Sequence, residues 1–295
     1  MELPGVNIKI DLNGLIAELQ RAVQRSVNLV SVGLASSVRI DTIPKNLPGS
    51  FMSFTPAESA KWNIDTAKSE FTNWILINGF RDSTESIGAF LESAYKVVCF
   101  WKLSGKRNEK GQVVGEDWNE FVVDRPRRFH RLGLPDKIKK LEELGPIVID
   151  QDMTDIVLSI NQARNCLVHR LGIVSKRDFN REDGLEVKWR VLRLKGEHEG
   201  KDFVIEGPTH VEAGTQISVQ NQNLSRVFNL NEAISFSTGE FNDLSWTLFA
   251  FGNSIKASLE NYGYEFGHLE RPKDEIHNQA SEVIDTSSAG IDTSS

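Results

Sequence analysis

The chain has 295 residues, 39% hydrophobic and 25% charged, enough apolar material for one large core or two smaller ones. Two cysteines, Cys99 and Cys166, make neither a metal-ligand spacing nor a disulfide framework, so a reducing compartment and a cytoplasmic location are expected. No apolar run follows a basic start and no stretch approaches about 18 uninterrupted apolar residues, so neither secretion nor membrane spanning is expected.

In chain order, Leu12, Leu15, Ile16, Leu19, Val23, Val27 and Val30 recur at helical spacing, with Asp11 as a cap, and predict a first helix. Pro44 to Gly49 punctuates a loop. Thr55-Pro56-Ala57-Glu58 combines a cap, a proline at the first helical position and a glutamate at the third, so a helix is expected from there to about Ile77. Asn78-Gly79 then reads as its end, and Asp82-Ser83-Thr84-Glu85 as the start of another helix that turns Ile87, Phe90, Leu91, Ala94, Tyr95, Val98 and Trp101 inward. Joined by so few residues, the two are expected to be antiparallel neighbours, with Phe71, Trp74, Phe90 and Trp101 in the core.

Ser104 to Glu116 is polar and glycine-containing, a loop. Its Ser104-Gly105-Lys106 is not a phosphate loop, because Phe100 stands at the first glycine position and Arg107 at the Ser/Thr position. The net charge of -7 argues against nucleic acid over the whole chain, but the total hides a local reversal. From Asp124 to Lys140 the chain carries Arg125, Arg127, Arg128, His130, Arg131, Lys137, Lys139 and Lys140 against only Asp124 and Asp136. Such a segment suits an RNA backbone, and Phe129 within it suits stacking on a base, although a charge run is more often a solvated face and an aromatic between helices is usually core. Pro135 to Leu144 predicts a short basic helix that Gly145-Pro146 ends.

Met153, Ile156, Val157, Ile160, Ala163, Leu167 and Leu171 then mark one buried helical face, with Asp152 or Thr154 as the cap and Gly172 as the left-handed residue past the end. That boundary puts His169 in the last turn, where unpaired carbonyls and the helix dipole favour positive charge. Asn165 and His169 are four apart and share a face, so the amide can orient the imidazole. Arg164, five positions before His169, lies about 140° around the axis from it. The two side chains therefore meet only through the length of the arginine, through loosening of the helix end, or across an interface with a second copy.

These residues carry chemistry. Attack of an RNA 2′-hydroxyl on its own phosphate needs a base, an acid for the departing 5′-oxygen, and positive charge on the phosphorane. Imidazole exchanges protons near neutral pH, which suits His169 to the transfers; the permanently charged, forked guanidinium suits Arg164 to the phosphate. A single His169 cannot be acid and base at one instant, whereas two copies facing each other supply both. Pairing of Arg164 with Asp155 or another surface carboxylate is the plainer reading of the same residue.

Arg164-Asn165-Cys166-Leu167-Val168-His169, in helical surroundings from about Thr55 to Gly172, resembles the R-x4-6-H motif of HEPN domains in its R-N-x-x-x-H form. The resemblance implies a helical bundle that dimerises with its motifs facing each other and, in the ribonuclease members, metal-independent RNA cleavage leaving a cyclic phosphate. It makes Arg164, Asn165 and His169 the candidate catalytic residues, beside Arg125, Arg127, Arg128, Arg131 and Arg170 as candidate RNA contacts. No cofactor or metal is expected: His198, His210, His268 and His277 form no ligand pattern, and no G-x-S-x-G elbow is present. A role as a toxin or phage-defence effector, restrained by an inhibitory or regulatory partner, follows from the resemblance alone. A non-catalytic dimerisation or partner-binding module, or a sensor that binds RNA or a nucleotide without cutting, fits the same residues.

After Gly172 the period changes to two. Leu185, Val187, Trp189 and Val191 alternate with Glu186, Lys188 and Arg190, and Phe203 to Ile205, Val211 to Val219 and Leu224 to Leu230 continue in short runs. Phe241, Leu244, Leu248, Phe251, Ile255 and Leu259 return to helical spacing up to Tyr262, with Gly263 expected past the end. The last residues repeat Ile284-Asp285-Thr286-Ser287-Ser288 as Ile291-Asp292-Thr293-Ser294-Ser295, and disorder is expected from about Arg271. The fold expected is mainly α: a HEPN-like bundle over 1–172, a small antiparallel β insertion over 173–238 before a C-terminal helix over 239–266 that packs on the bundle, and a disordered tail over 267–295.

Overall fold

The computed structural model describes residues 10–43, 63–106, 115–145, 147–205 and 210–271. Among the described residues the protein is mainly helical, with one three-stranded antiparallel sheet before the last of the helices. Helix α1 spans Leu12–Ser37, and the Asp11 carboxylate caps it by accepting from the Gly14 amide at 2.9 Å. Helix α2 spans Ile64–Ser104, capped by Asn63. The expected start at Thr55, the Pro44 loop, and the tail beyond Arg271 lie outside the described residues.

Helix α2 corrects the expected pair of antiparallel helices. It runs unbroken for 41 residues straight through Asn78-Gly79. Asn78 satisfies its amide within the helix, donating to the Trp74 carbonyl at 2.7 Å. Gly79 is there for contact rather than for a turn, because a Cβ on it would stand 2.2 Å from Val30 Cγ2 and 3.1 Å from the Phe241 ring. Ser83 and Thr84, read as part of a helix start, are buried in mid-helix, and Thr84 donates back to the Phe80 carbonyl. Phe90 and Trp101 are core as expected, but Trp74 is 61% exposed and only stacks on Phe71.

A short helix α3 (Gly115–Trp118), a π-helical segment (Asn119–Asp124) and α4 (Arg125–His130) lead to α5 (Leu134–Leu144), with Pro135 in its first turn. Helix α6 spans Gln151–His169, and its cap is Asp150, whose carboxylate accepts from the Asp152 amide, not Asp152 or Thr154. At its end the Gly172 amide reaches the Cys166 carbonyl at 3.2 Å while Leu171 and Gly172 both take positive φ, at 54° and 77°. The helix stop at Gly172 is thus the left-handed turn the sequence announced.

The sheet has the order β2-β1-β3, with β1 at Leu185–His198, β2 at Lys201–Ile205 and β3 at Gln216–Phe228. The two expected runs, Val211 to Val219 and Leu224 to Leu230, are replaced by the single strand β3, which pairs with β1 from Leu185↔Phe228 to Glu197↔Gln216. Leu185, Val187, Trp189 and Val191 belong to the same hydrophobic cluster as the helices. Ahead of β2, the free edge of β1 is closed by helix hydroxyls: Ser159 accepts from the Lys188 amide, and Thr247 bonds both backbone groups of Arg190.

Helix α7 spans Thr238–Glu265 and packs against α1 and α2. It runs through Gly263, expected beyond its end, because Gly263 is a buried seat for Leu269 and its carbonyl accepts from the His268 and Leu269 amides. Each Leu, Ile or Phe buried in this common cluster contributes about 1.5–3 kcal/mol to the folded state. Among the described residues, no helix is long and apolar enough to cross a membrane.

Candidate functional site

The last two turns of α6 carry the candidate catalytic residues, and the structure treats them differently. Arg164 turns toward α2, where its Nη2 donates to Glu85 Oε1 at 2.7 Å and its Nη1 to Asn165 Oδ1 at 3.2 Å. The arginine side chain is 25% exposed and the glutamate 52%, so the pair sits at the surface. His169 is exposed in the last turn, and its ring has no hydrogen-bond partner among the described residues. Arg164 and His169 do not touch within one chain, as their spacing around the helix requires.

Arg170, expected on RNA, is committed to the fold. Its guanidinium makes a two-bond pair with the Asp178 carboxylate, which is completely buried. Asp178 also accepts from the Ser175 amide and hydroxyl, closing a capping box on the 3-10 turn at Lys176–Asp178. Burial pushes the Asp178 carboxyl up, but the Arg170 and Ser175 hydrogen bonds outweigh it and hold it below the ordinary aspartate range. Burial first, and then the Asp178 charge, push the Cys166 thiol up to about 11, so it is a core group and not a nucleophile. Gln162, two turns before His169 and on its face, lies 3.4 and 3.5 Å from the carbonyls of Asp178 and Arg177, which brings the exposed Lys176 and Arg177 alongside that face.

The basic segment divides in the same way. Glu120 holds Arg125 at 2.9 Å and Arg128 at 2.7 Å, and the Arg125 guanidinium lies 4.1 Å from the centre of the Phe121 ring. Those hydrogen bonds, Arg125 first, keep the Glu120 carboxyl below its usual range. Arg127 and Arg131 are exposed and have no partner among the described residues. Phe129 does not suit a base: it is buried and stacked on Tyr95 at 4.0 Å, so presenting it would empty the core. Lys137, buried, pairs with Glu92, which His130 also meets at 2.9 Å. Burial raises the Glu92 carboxyl, and the Lys137 and His130 hydrogen bonds more than offset it.

Glu85 and Glu92 are the residues that sequence reasoning missed. They stand seven apart on α2, hence on one face and about 10 Å apart along the axis. One receives Arg164 and the other receives His130 and Lys137, so α2 draws the motif helix and the basic elbow to a single stripe. The seven-residue spacing was the available signal, since both glutamates fall in the helix expected from Asp82, but their partners lie far along the chain. Among the described residues, no three His, Cys, Asp or Glu side chains converge as a metal site.

A groove of about 430 Å³ between α1, α7 and β1 is lined by Gln20, Gln24, Leu192, Asp243, Trp246 and Phe249 among others, and none of the motif residues faces it. The chain matches no protein-family model, no curated protein and no solved structure.

Proposed function

We propose that this chain is a HEPN-like, homodimeric, metal-independent endoribonuclease of the cytoplasm. The observation that carries the reading is the end of α6, where an exposed imidazole, His169, stands two turns or less from a surface guanidinium, Arg164, backed by Asn165. Arg164 keeps donors beyond those used by Glu85 and Asn165, and a phosphate diester competes well for a guanidinium held by one exposed carboxylate. Exposed Arg127 and Arg131, reached by way of the α2 stripe, supply a rim for the RNA backbone.

In this reading the 2′-oxygen bonds to phosphorus as the bond to the 5′-oxygen breaks. His169 of one copy takes the 2′ proton, His169 of the second copy gives a proton to the departing oxygen, and Arg164 meets the charge on the phosphorane. The products are a 2′,3′-cyclic phosphate and a 5′-hydroxyl. A nuclease of this kind needs restraint, which fits a toxin or phage-defence effector held by a regulatory partner.

Incubation of RNA with the full chain in EDTA tests the reading. Cleavage that survives chelation and disappears in Arg164→Ala and His169→Ala supports it; intact RNA with the wild-type chain overturns it. The ion pair of Arg164 with Glu85 favours the second reading, a non-catalytic module that uses this helix for dimerisation or for holding a partner. RNA that binds or a partner that docks without any cut would select that reading.

A further inference from the structure

The sheet has two unlike halves. Up to Val191 its β1 residues alternate between the core and the surface, whereas β3 from Gln216 to Asn223 is exposed at every position. Directly paired residues of an antiparallel sheet project from the same face. Leu194 pairs with Val219 and Ile205, and Gly196 pairs with Ile217 and Phe203, so these apolar side chains form two adjacent rows on one face. Leu192, two positions before Leu194, extends them. The tip of the Phe203 ring stands against Gly196, where a Cβ would come within 2.4 Å of it. Leu194, Ile217 and Val219 are between 42% and 62% exposed, while Leu192, at the end nearest the helices, borders the groove shared with Trp246 and Phe249. A contiguous apolar face of this kind is a contact surface rather than a neutral one.

The edges of the sheet differ as well. The β2 edge is five residues long and opens with Lys201 and Asp202, and the β1 edge beyond it is plugged by Ser159 and Thr247. The outer edge of β3 has neither protection: from Gln216 to Ser225 it carries no charge, no proline and no glycine. Natural sheets blunt edges that must stay single with such devices.

We infer that β3 pairs with β3 of a second copy, joining two three-stranded sheets into one of six strands. The chemistry favours a copy of this chain as the occupant. An antiparallel strand paired with itself has its two-fold axis normal to the sheet, so both apolar faces come out on the same side and merge. The uncharged stretch sets no like charges opposite each other, and its Gln and Asn side chains meet amide to amide. The opposite face carries Arg193 and Lys195, which would repel their own copies in a face-to-face stack. The inference is independent of the nuclease reading and of any contact through α6.

Sedimentation of the full chain over a dilution series tests it, beside Ile217→Lys/Val219→Lys, whose side chains are exposed and whose backbone pairing is unchanged. The variant is expected to have half the mass of the wild type with the same circular dichroism spectrum. A single cysteine at Val219, Gln220 or Asn221 is expected to give a disulfide-linked dimer under mild oxidation, at whichever of them lies nearest the axis. Three results overturn the inference: a wild-type chain that is monomeric throughout, an assembly mass that the double variant leaves unchanged, or cross-links that put residues 44–62 or 272–295 of the same chain on this face.

Discussion

Two arginines six positions apart on the end of α6 show how a partner decides what a charged side chain is for. Arg170 makes two bonds to a carboxylate that is completely buried and that also holds the Ser175 cap. Arg164 makes one bond to a carboxylate that is half exposed. Removing one partner of a buried pair strands a charge, whereas an exposed pair contributes about 0–1 kcal/mol and exchanges readily with another anion. The first arginine therefore closes the helix end, and the second remains available to a phosphate.

The largest effect expected is on cleavage. His169→Ala should lower the rate by about 10²–10⁴-fold, and Arg164→Ala comparably, with thermal denaturation changed little, since neither side chain is buried. Arg164→Lys should not restore cleavage, because an ammonium lacks the planar fork. A rate unchanged by either alanine would break the contrast by making Arg164 as structural as Arg170.

Next comes stability. Arg170→Ala leaves Asp178 buried without its counter-charge and should cost about 3 kcal/mol in denaturant unfolding, against less than about 1 kcal/mol for Arg164→Ala. Equal losses for the two would remove the distinction.

A smaller effect concerns pH. The Asp178 carboxyl is held below its unfolded value, so the stability it contributes is complete above about pH 4 and is lost as pH falls through its folded value. An acid-unfolding series should show that limb in the wild type and a shallower one in Asp178→Asn. The smallest effect is that of Glu85→Gln, which loosens Arg164 without stranding a buried charge. RNA affinity should rise a few-fold by filter binding while stability shifts by less than about 1 kcal/mol.

Much of the secondary structure is legible in residue spacing, and its failures have particular causes. Asp11, the helical stripe from Leu12, the alternation from Leu185 to Val191 and the stop at Gly172 are local patterns, and each appears where the spacing puts it. Asn78-Gly79 reads as a stop by local rules, yet it is where α1 and the Phe241 ring press on α2, and close packing overrides a propensity difference of about 1 kcal/mol. Phe129 reads as available because charges surround it in sequence, while in space it lies on Tyr95.

The site divides along the same line. The last-turn position of His169 and its shared face with Asn165 follow from a period of 3.6 residues and one glycine. Which cations are spoken for does not, because Glu85 lies 79 positions from Arg164, and Glu92 lies 38 and 45 positions from His130 and Lys137. Periodicity is a property of neighbours along the chain, so the sequence alone could set it. Pairing of charges across helices belongs to surfaces that meet only when the helices pack, so tertiary structure alone decided that Glu85 holds Arg164 at the surface; Arg170 meets Asp178 only eight residues on, and what the folded core decided there is that the pair is buried.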